Sequence, residues 1–195
     1  MPIQVSRPPE GSLRALAEGL RQLGPNRTAF RTAAADAPRL GESAWREGRA
    51  SRAFVADAGD LADGRLLAEC AHFVGWRYLL PQLGAAAAEV EQEGERYELR
   101  VLNESMLNQH ALSVSRTLSE RDELRALEFE LAFLTIPALY VVALWLRAEP
   151  DVLGYVAPIT PDDRRFERGR LYPMPQFDEM LRTLALARVA TPDPA

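Results

Sequence analysis

Leu127-Glu128-Phe129-Glu130-Leu131-Ala132-Phe133-Leu134-Thr135-Ile136-Pro137 is the stretch on which the fold turns. Its apolar residues fit two templates. Leu127, Phe129, Leu131 and Phe133 alternate with smaller or charged residues, as a half-buried strand does. Leu124, Leu127, Leu131 and Leu134 fall instead on one stripe of a helix, and Glu and Ala favour helix. The phenylalanines and the Thr-Ile-Pro stop select the strand.

Downstream, Pro137 is placed to open a buried helix predicted over residues 138–147, apolar almost all round and broken by Glu149-Pro150. Residues 152–159 read as a short last strand, bounded by Pro158 and Pro161. A charged, proline-punctuated loop fills 160–174. Pro175 then starts a helix with Phe177, Met180, Leu181 and Leu184 on one face.

Upstream, Ser105 or Asn103 caps a helix carrying Leu107, His110 or Ala111, Val114 and Leu118. Before it, residues 85–92 and 97–102 form a hairpin, with Gly94 supplying a positive φ at the turn. Asp60 caps the most regular helix of the chain, predicted over 61–80 and ended by Pro81. Leu67, Cys70 or Ala71, Val74 and Tyr78 lie on one side of it, Arg65, Glu69 and His72 on the other. Ser12 caps a shorter helix through Leu13, Leu16, Leu20 and Leu23, stopped by Gly24-Pro25. From Asn26 to Gly59 large aliphatics are sparse, and periodicity does not decide between loose helix and extended arm.

These readings predict an α+β fold in which helices flank a small, mostly antiparallel three- to four-stranded sheet in the C-terminal half. Residues 1–59 form an irregular or short-helical arm, 60–190 the globular core and 191–195 a tail.

The 195 residues carry a net charge of −5, and the basic residues are all arginine: there is no lysine. This rules out a Schiff-base lysine, a lysine general base and a Walker-type phosphate loop. Arginine in place of lysine, with abundant alanine, suits a GC-rich bacterial genome. The single cysteine, Cys70, cannot form an internal disulfide or join a multi-cysteine zinc site. The N-terminus lacks the apolar stretch of a signal peptide. The longest uncharged run, Leu131 to Leu146, is too short and too interrupted to span a bilayer and reads as core. A cytoplasmic location without membrane insertion is expected.

Cys70, His72 and His110 are the candidate catalytic residues. On a helix, Cys70 and His72 point to opposite sides, so a nucleophile–base pair is disfavoured and Cys70 reads as an inert core residue. His110 lies on an apolar stripe, as a satisfied core histidine does. A Cys70–His110–Asn108 triad would need the fold to assemble it. Asp57, Asp60 and Asp63 read as acids gathered at a helix start rather than as a cation site. No metal site and no cofactor is predicted. The acidic run Glu89, Glu91, Glu93, Glu95 and Glu98 reads as a solvated edge, with docking of an Arg-rich partner as the alternative. Arg164, Arg165, Arg168 and Arg170 are offset by Asp162, Asp163 and Glu167. With a pI near 5.2, nucleic acid is not an expected partner.

The expectation is a noncatalytic interaction or structural protein, a subunit or adaptor of a larger bacterial assembly, with a protein partner or self-association. The alternatives are a small Cys- or His-dependent hydrolase or transferase and an apolar-ligand carrier. A small-molecule ligand is not excluded.

Overall fold

The computed structural model describes residues 3–4, 6–23, 39, 42–44, 46, 49–121, 124, 129–148 and 154–190. The predicted tail at 191–195, and Phe30, Leu40 and Trp45 of the predicted arm, lie outside them, as do Leu127 and Val152.

The elements in chain order are β1 (Ile3–Gln4), α1 (Glu10–Leu23), β2 (Ala50–Val55), α2 (Ala58–Ala62), α3 (Leu67–Cys70), β3 (His72–Leu80), β4 (Ala86–Glu93) and β5 (Arg96–Glu104). Then come α4 (Met106–Glu120), β6 (Phe129–Ile136), β7 (Val141–Arg147), β8 (Tyr155–Thr160), β9 (Tyr172–Pro173) and α5 (Met174–Ala190). The hydrogen-bonded strand order is β5-β4-β3-β2-β6-β7-β8-β9, and β1 adds to β6 in parallel. The class is α+β, but a sheet of nine strands replaces the expected three or four.

Two predicted helices account for much of the difference. The span 61–80 is the two short helices α2 and α3 followed by the nine-residue strand β3; the span 138–147 is a 3-10 turn followed by β7. In β3 every residue from Gly75 to Leu80 is buried, and in β7 five of seven are. A strand covered on both faces carries apolar residues at successive positions and loses the alternation that marks a strand. Such a run imitates a helix apolar all round.

The chain divides into two compact units, one of residues 1–4, 53–73 and 113–195, the other of 5–52 and 74–112. In the first, Phe54, Trp145, Phe166, Phe177 and Leu181 are among the buried residues of one continuous core. The predicted strand at 127–135 is present here as β6, antiparallel to β7 with Leu131 opposite Leu146. The run 131–146 is therefore packed as paired strands, with Leu134, Ile136 and Leu146 fully buried.

In the second unit the predicted hairpin is present as β4–β5, with Gly94 in its turn at φ +60°. Ser105 receives the Asn108 backbone N–H at 3.3 Å, capping α4 as expected. Helix α1 begins at Glu10, so Ser12 lies inside it rather than at its cap. It packs on the hairpin through its glycines: a Cβ at Gly11 would stand 2.6 Å from Tyr97 Cδ2, and one at Gly19 2.7 Å from Leu99 Cβ. Only a residue without a side chain allows that approach.

The same device closes a strand in each unit. Leu80-Pro81-Gln82-Leu83-Gly84 and Ile136-Pro137-Ala138-Leu139-Tyr140 each form a 3-10 turn with proline at its start and a buried leucine at its end. Each turn finishes on a left-handed residue, Gly84 at φ +70° and Tyr140 at φ +55°. Two strands and a helix follow the first turn, three strands and a helix the second.

Candidate functional site

Asp57 starts α2, its carboxylate accepting the Gly59 N–H at 2.6 Å. Asp60 accepts from Arg65 Nη1 at 2.8 Å. These acids are thus engaged with a helix start and an arginine, and among the described residues no group of three His, Cys, Asp or Glu could hold a metal ion.

Cys70 ends α3 and is buried, with its thiol 3.9 Å from the Leu67 carbonyl. Burial pushes the thiol up, and the nearby Asp60 charge adds to that rise, whereas a reactive cysteine is one pushed down. His72 opens β3 and is exposed. The two are separated by the junction of a helix and a strand rather than by helical rotation.

His110 is half-buried on α4. Two residues earlier on that helix, Asn108 is fully buried and its carboxamide is fully occupied. Its Oδ1 accepts from Arg77 Nη2 at 2.7 Å, and its Nδ2 donates to the Asn103 carbonyl at 3.0 Å and to Asn103 Oδ1 at 3.1 Å. Asn108 therefore orients a buried arginine. Arg77 also pairs with Glu89 on the adjacent strand. Burial pushes its guanidinium down to about 10.

The acidic run is partly compensated from within. Glu89 serves Arg77, while Arg100 meets Glu91 at 3.0 Å, Glu93 at 2.9 Å and Glu98 at 3.4 Å. All three Arg100 pairs are well exposed, so their energetic weight is small. They do reduce the negative field that an Arg-rich partner would need.

Two clefts open on the first unit. The larger, about 590 Å³, lies between the C-terminal half of α4, with Ser113 and Thr117, the residue after it, Arg121, and the loop carrying Glu167, Arg168 and Arg170. That loop, residues 161–171, is ordered by its own bonds. Phe166 is fully buried, its ring 5.2 Å from Phe177 and 6.2 Å from Tyr172. Asp163 accepts the backbone N–H groups of Arg165 and Phe166 and the Arg165 side chain. These bonds, with that of the Arg165 side chain foremost, hold the Asp163 carboxyl down at about 2. The Glu167 N–H donates to Tyr172 Oη at 3.0 Å, and the Gly169 N–H to the Pro158 carbonyl at 2.9 Å.

The smaller cleft, about 250 Å³, has a floor of Ala138, Leu139 and Leu184 and is flanked by Tyr140, Arg165 and Arg188. Tyr140 is 73% exposed and left-handed.

Compared with protein-family models, curated proteins and solved structures, the chain matches none.

Arg77, Tyr140 and the arginine cleft are absent from the sequence-based candidates. Arg77 had a signal: a charge between Trp76 and Tyr78 in an apolar run. Reading the run as a helix hid it. Tyr140 had none, because a left-handed tyrosine is a property of the turn. Among the described residues, no helix is long and apolar enough to cross a membrane.

Proposed function

We propose that the chain is a noncatalytic interaction protein of the bacterial cytoplasm, a subunit or adaptor that docks a protein partner at the Tyr140 cleft. The observation that carries this reading is Tyr140 itself. An L-residue with a bulky side chain in left-handed backbone costs about 1–2 kcal/mol. At 73% exposure, the ring recovers little of that by burial in its own chain. Gly84 occupies the corresponding place in the other turn without that cost. Strain held at an exposed aromatic is the signature of a residue that serves contacts outside the fold, and tyrosine and arginine are the side chains that most often anchor protein interfaces.

The lining carries Arg165, already engaged by Asp163, and Arg188, around the apolar Ala138, Leu139 and Leu184. The fitting partner presents an apolar side chain to this surface. The buried thiol, pushed up rather than down, weakens the hydrolase alternative, and the close packing of 131–146 takes away the apolar wall on which the carrier alternative rested.

A photo-crosslinking residue placed at Tyr140 in living cells tests the reading, with Met106, 63% exposed in the other unit, as the control position. One discrete heavier species from position 140 and none from 106 is expected. A homodimeric adduct would name a second copy as the occupant. No adduct, or the same smear from both positions, would refute the proposal.

A further inference from the structure

We propose that the outer face of α5 pairs antiparallel with α5 of a second copy of this chain, along a seam of Pro175, Glu179, Arg182, Leu186 and Val189. These residues follow one another at spacings of four, three, four and three. That interval keeps side chains on one line of a helix and makes the seam of a coiled coil. All five are exposed, Leu186 at 50% and Val189 at 59%. The inner face is taken up within its own unit: Phe177, Leu181 and Ala185 are fully buried, and α2 packs alongside.

Charge selects the occupant. The Glu179 and Arg182 side chains form no ion pair among the described residues. Laid antiparallel, with Glu179 facing Arg182 of the second copy, the two-fold axis returns Arg182 to Glu179. The same register sets Leu186 over Pro175 at both ends and brings Val189 beside Pro173, which is also exposed. A slip that centres the axis on Arg182 opposes like charges and lays Leu186 on Glu179. A parallel pair stacks Glu179 on Glu179 and Arg182 on Arg182. Of these arrangements only the first joins opposite charges to each other and apolar residues to apolar ones. A stripe complementary to itself is what a two-fold interface demands and a foreign partner does not.

Leu66 extends the apolar end. It is 41% exposed, and the bond from the neighbouring Leu67 N–H to Asp178 Oδ1 at 3.0 Å holds it beside the first turns of α5. In the antiparallel register Leu186 of the second copy lies at that height. Leu66, Leu186 and Val189 are three of the five large hydrophobic side chains exposed among the described residues, and all fall on this surface. The Tyr140 cleft is separate, because Leu184 and Arg188 in its lining point to the side of α5 opposite Leu186. With a charged middle and apolar ends, the seam fixes register more than strength. A helix of 17 residues spans about 25 Å, so one such pair lies at the low end of interface size. A dimer dissociating at about 10–100 μM is expected.

Sedimentation velocity of the full chain from about 1 to about 500 μM tests this. The mass is expected to rise from the 21.7 kDa of one chain toward twice that value. E179R and R182E, both at exposed positions, should each weaken association about tenfold or more at unchanged melting temperature. Mixed in equal amounts, the two variants should associate again, because each supplies the charge the other lacks. The double variant E179R/R182E should associate by itself. A wild-type chain that stays monomeric at the highest concentration, single variants that associate as the wild type does, or a mixture that gains no mass would overturn the proposal. Neither substitution touches the Tyr140 cleft, so crosslinking from Tyr140 is read independently of these results.

Discussion

Ser12 Oγ and Tyr78 Oη lie 2.7 Å apart, 66 positions from one another in the chain, and neither residue has exposed surface. The bond fastens α1 to the C-terminal part of β3. Ser12→Ala and Tyr78→Phe each leave one buried hydroxyl without its partner and should cost about 1–3 kcal/mol in urea unfolding. The double variant should cost less than the sum, because no orphan remains.

The same tyrosine gives a pH signature. Burial holds its phenol above the ordinary 10.0, so the folded chain keeps a proton that the unfolded chain releases. Above pH 10 the unfolded state binds fewer protons, and stability falls as pH rises. Melting temperature followed from neutrality to about pH 11 should drop in the wild type and drop less in Tyr78→Phe.

Arg77 and Asn108 form a second buried polar pair. Asn108→Ala removes one acceptor from a guanidinium with 5% exposure that still pairs with Glu89, and should cost about 1.5–3 kcal/mol. Arg77→Met combined with Asn108→Leu removes both polar groups and should recover much of that loss. Glu89→Gln, at a side chain 38% exposed, should cost least of the three. Urea titrations of the series would check the order.

Where the sequence was readable, a boundary residue or a one-sided pattern made it so. Ser105 announces α4, Gly94 the β4–β5 turn, and the Phe177-Leu181 face α5. The failures share one cause. Gly75 to Leu80 and Ala143 to Leu146 are covered on both sides, so neither period survives in them. With β3 taken for a helix, the sheet shrank, and Arg77 could not be seen to face Asn108. The Arg168 loop reads only as charged and proline-punctuated because its charges are visible in sequence. The burial of Phe166, which orders it, is not.

Gly19 tests the packing of α1 on β5. Alanine there improves helix propensity by about 1 kcal/mol. It also places a methyl 2.7 Å from Leu99 Cβ, too near the backbone for a rotamer change to relieve. Overpacking of this kind costs about 1–3 kcal/mol, so Gly19→Ala should be destabilised on balance. Leu99→Ala in the same chain should restore part of the loss, which would separate a steric cause from a general weakening of the helix.

Tyr140→Gly separates stability from function most sharply. The backbone at φ +55° and ψ +27° suits glycine, and the ring contributes little buried area to its own chain. Glycine's greater freedom in the unfolded state offsets part of the relief. A net stabilisation of about 0.5–1 kcal/mol is expected, read as a higher urea midpoint with an unchanged slope. If Tyr140 anchors a partner, the same variant should lose that partner while gaining stability. A residue kept for the fold would show the opposite: a less stable chain, with any loss of binding following from it. Tyr140→Ala, which retains the strained backbone and removes only the ring, should lose the partner without the gain in stability.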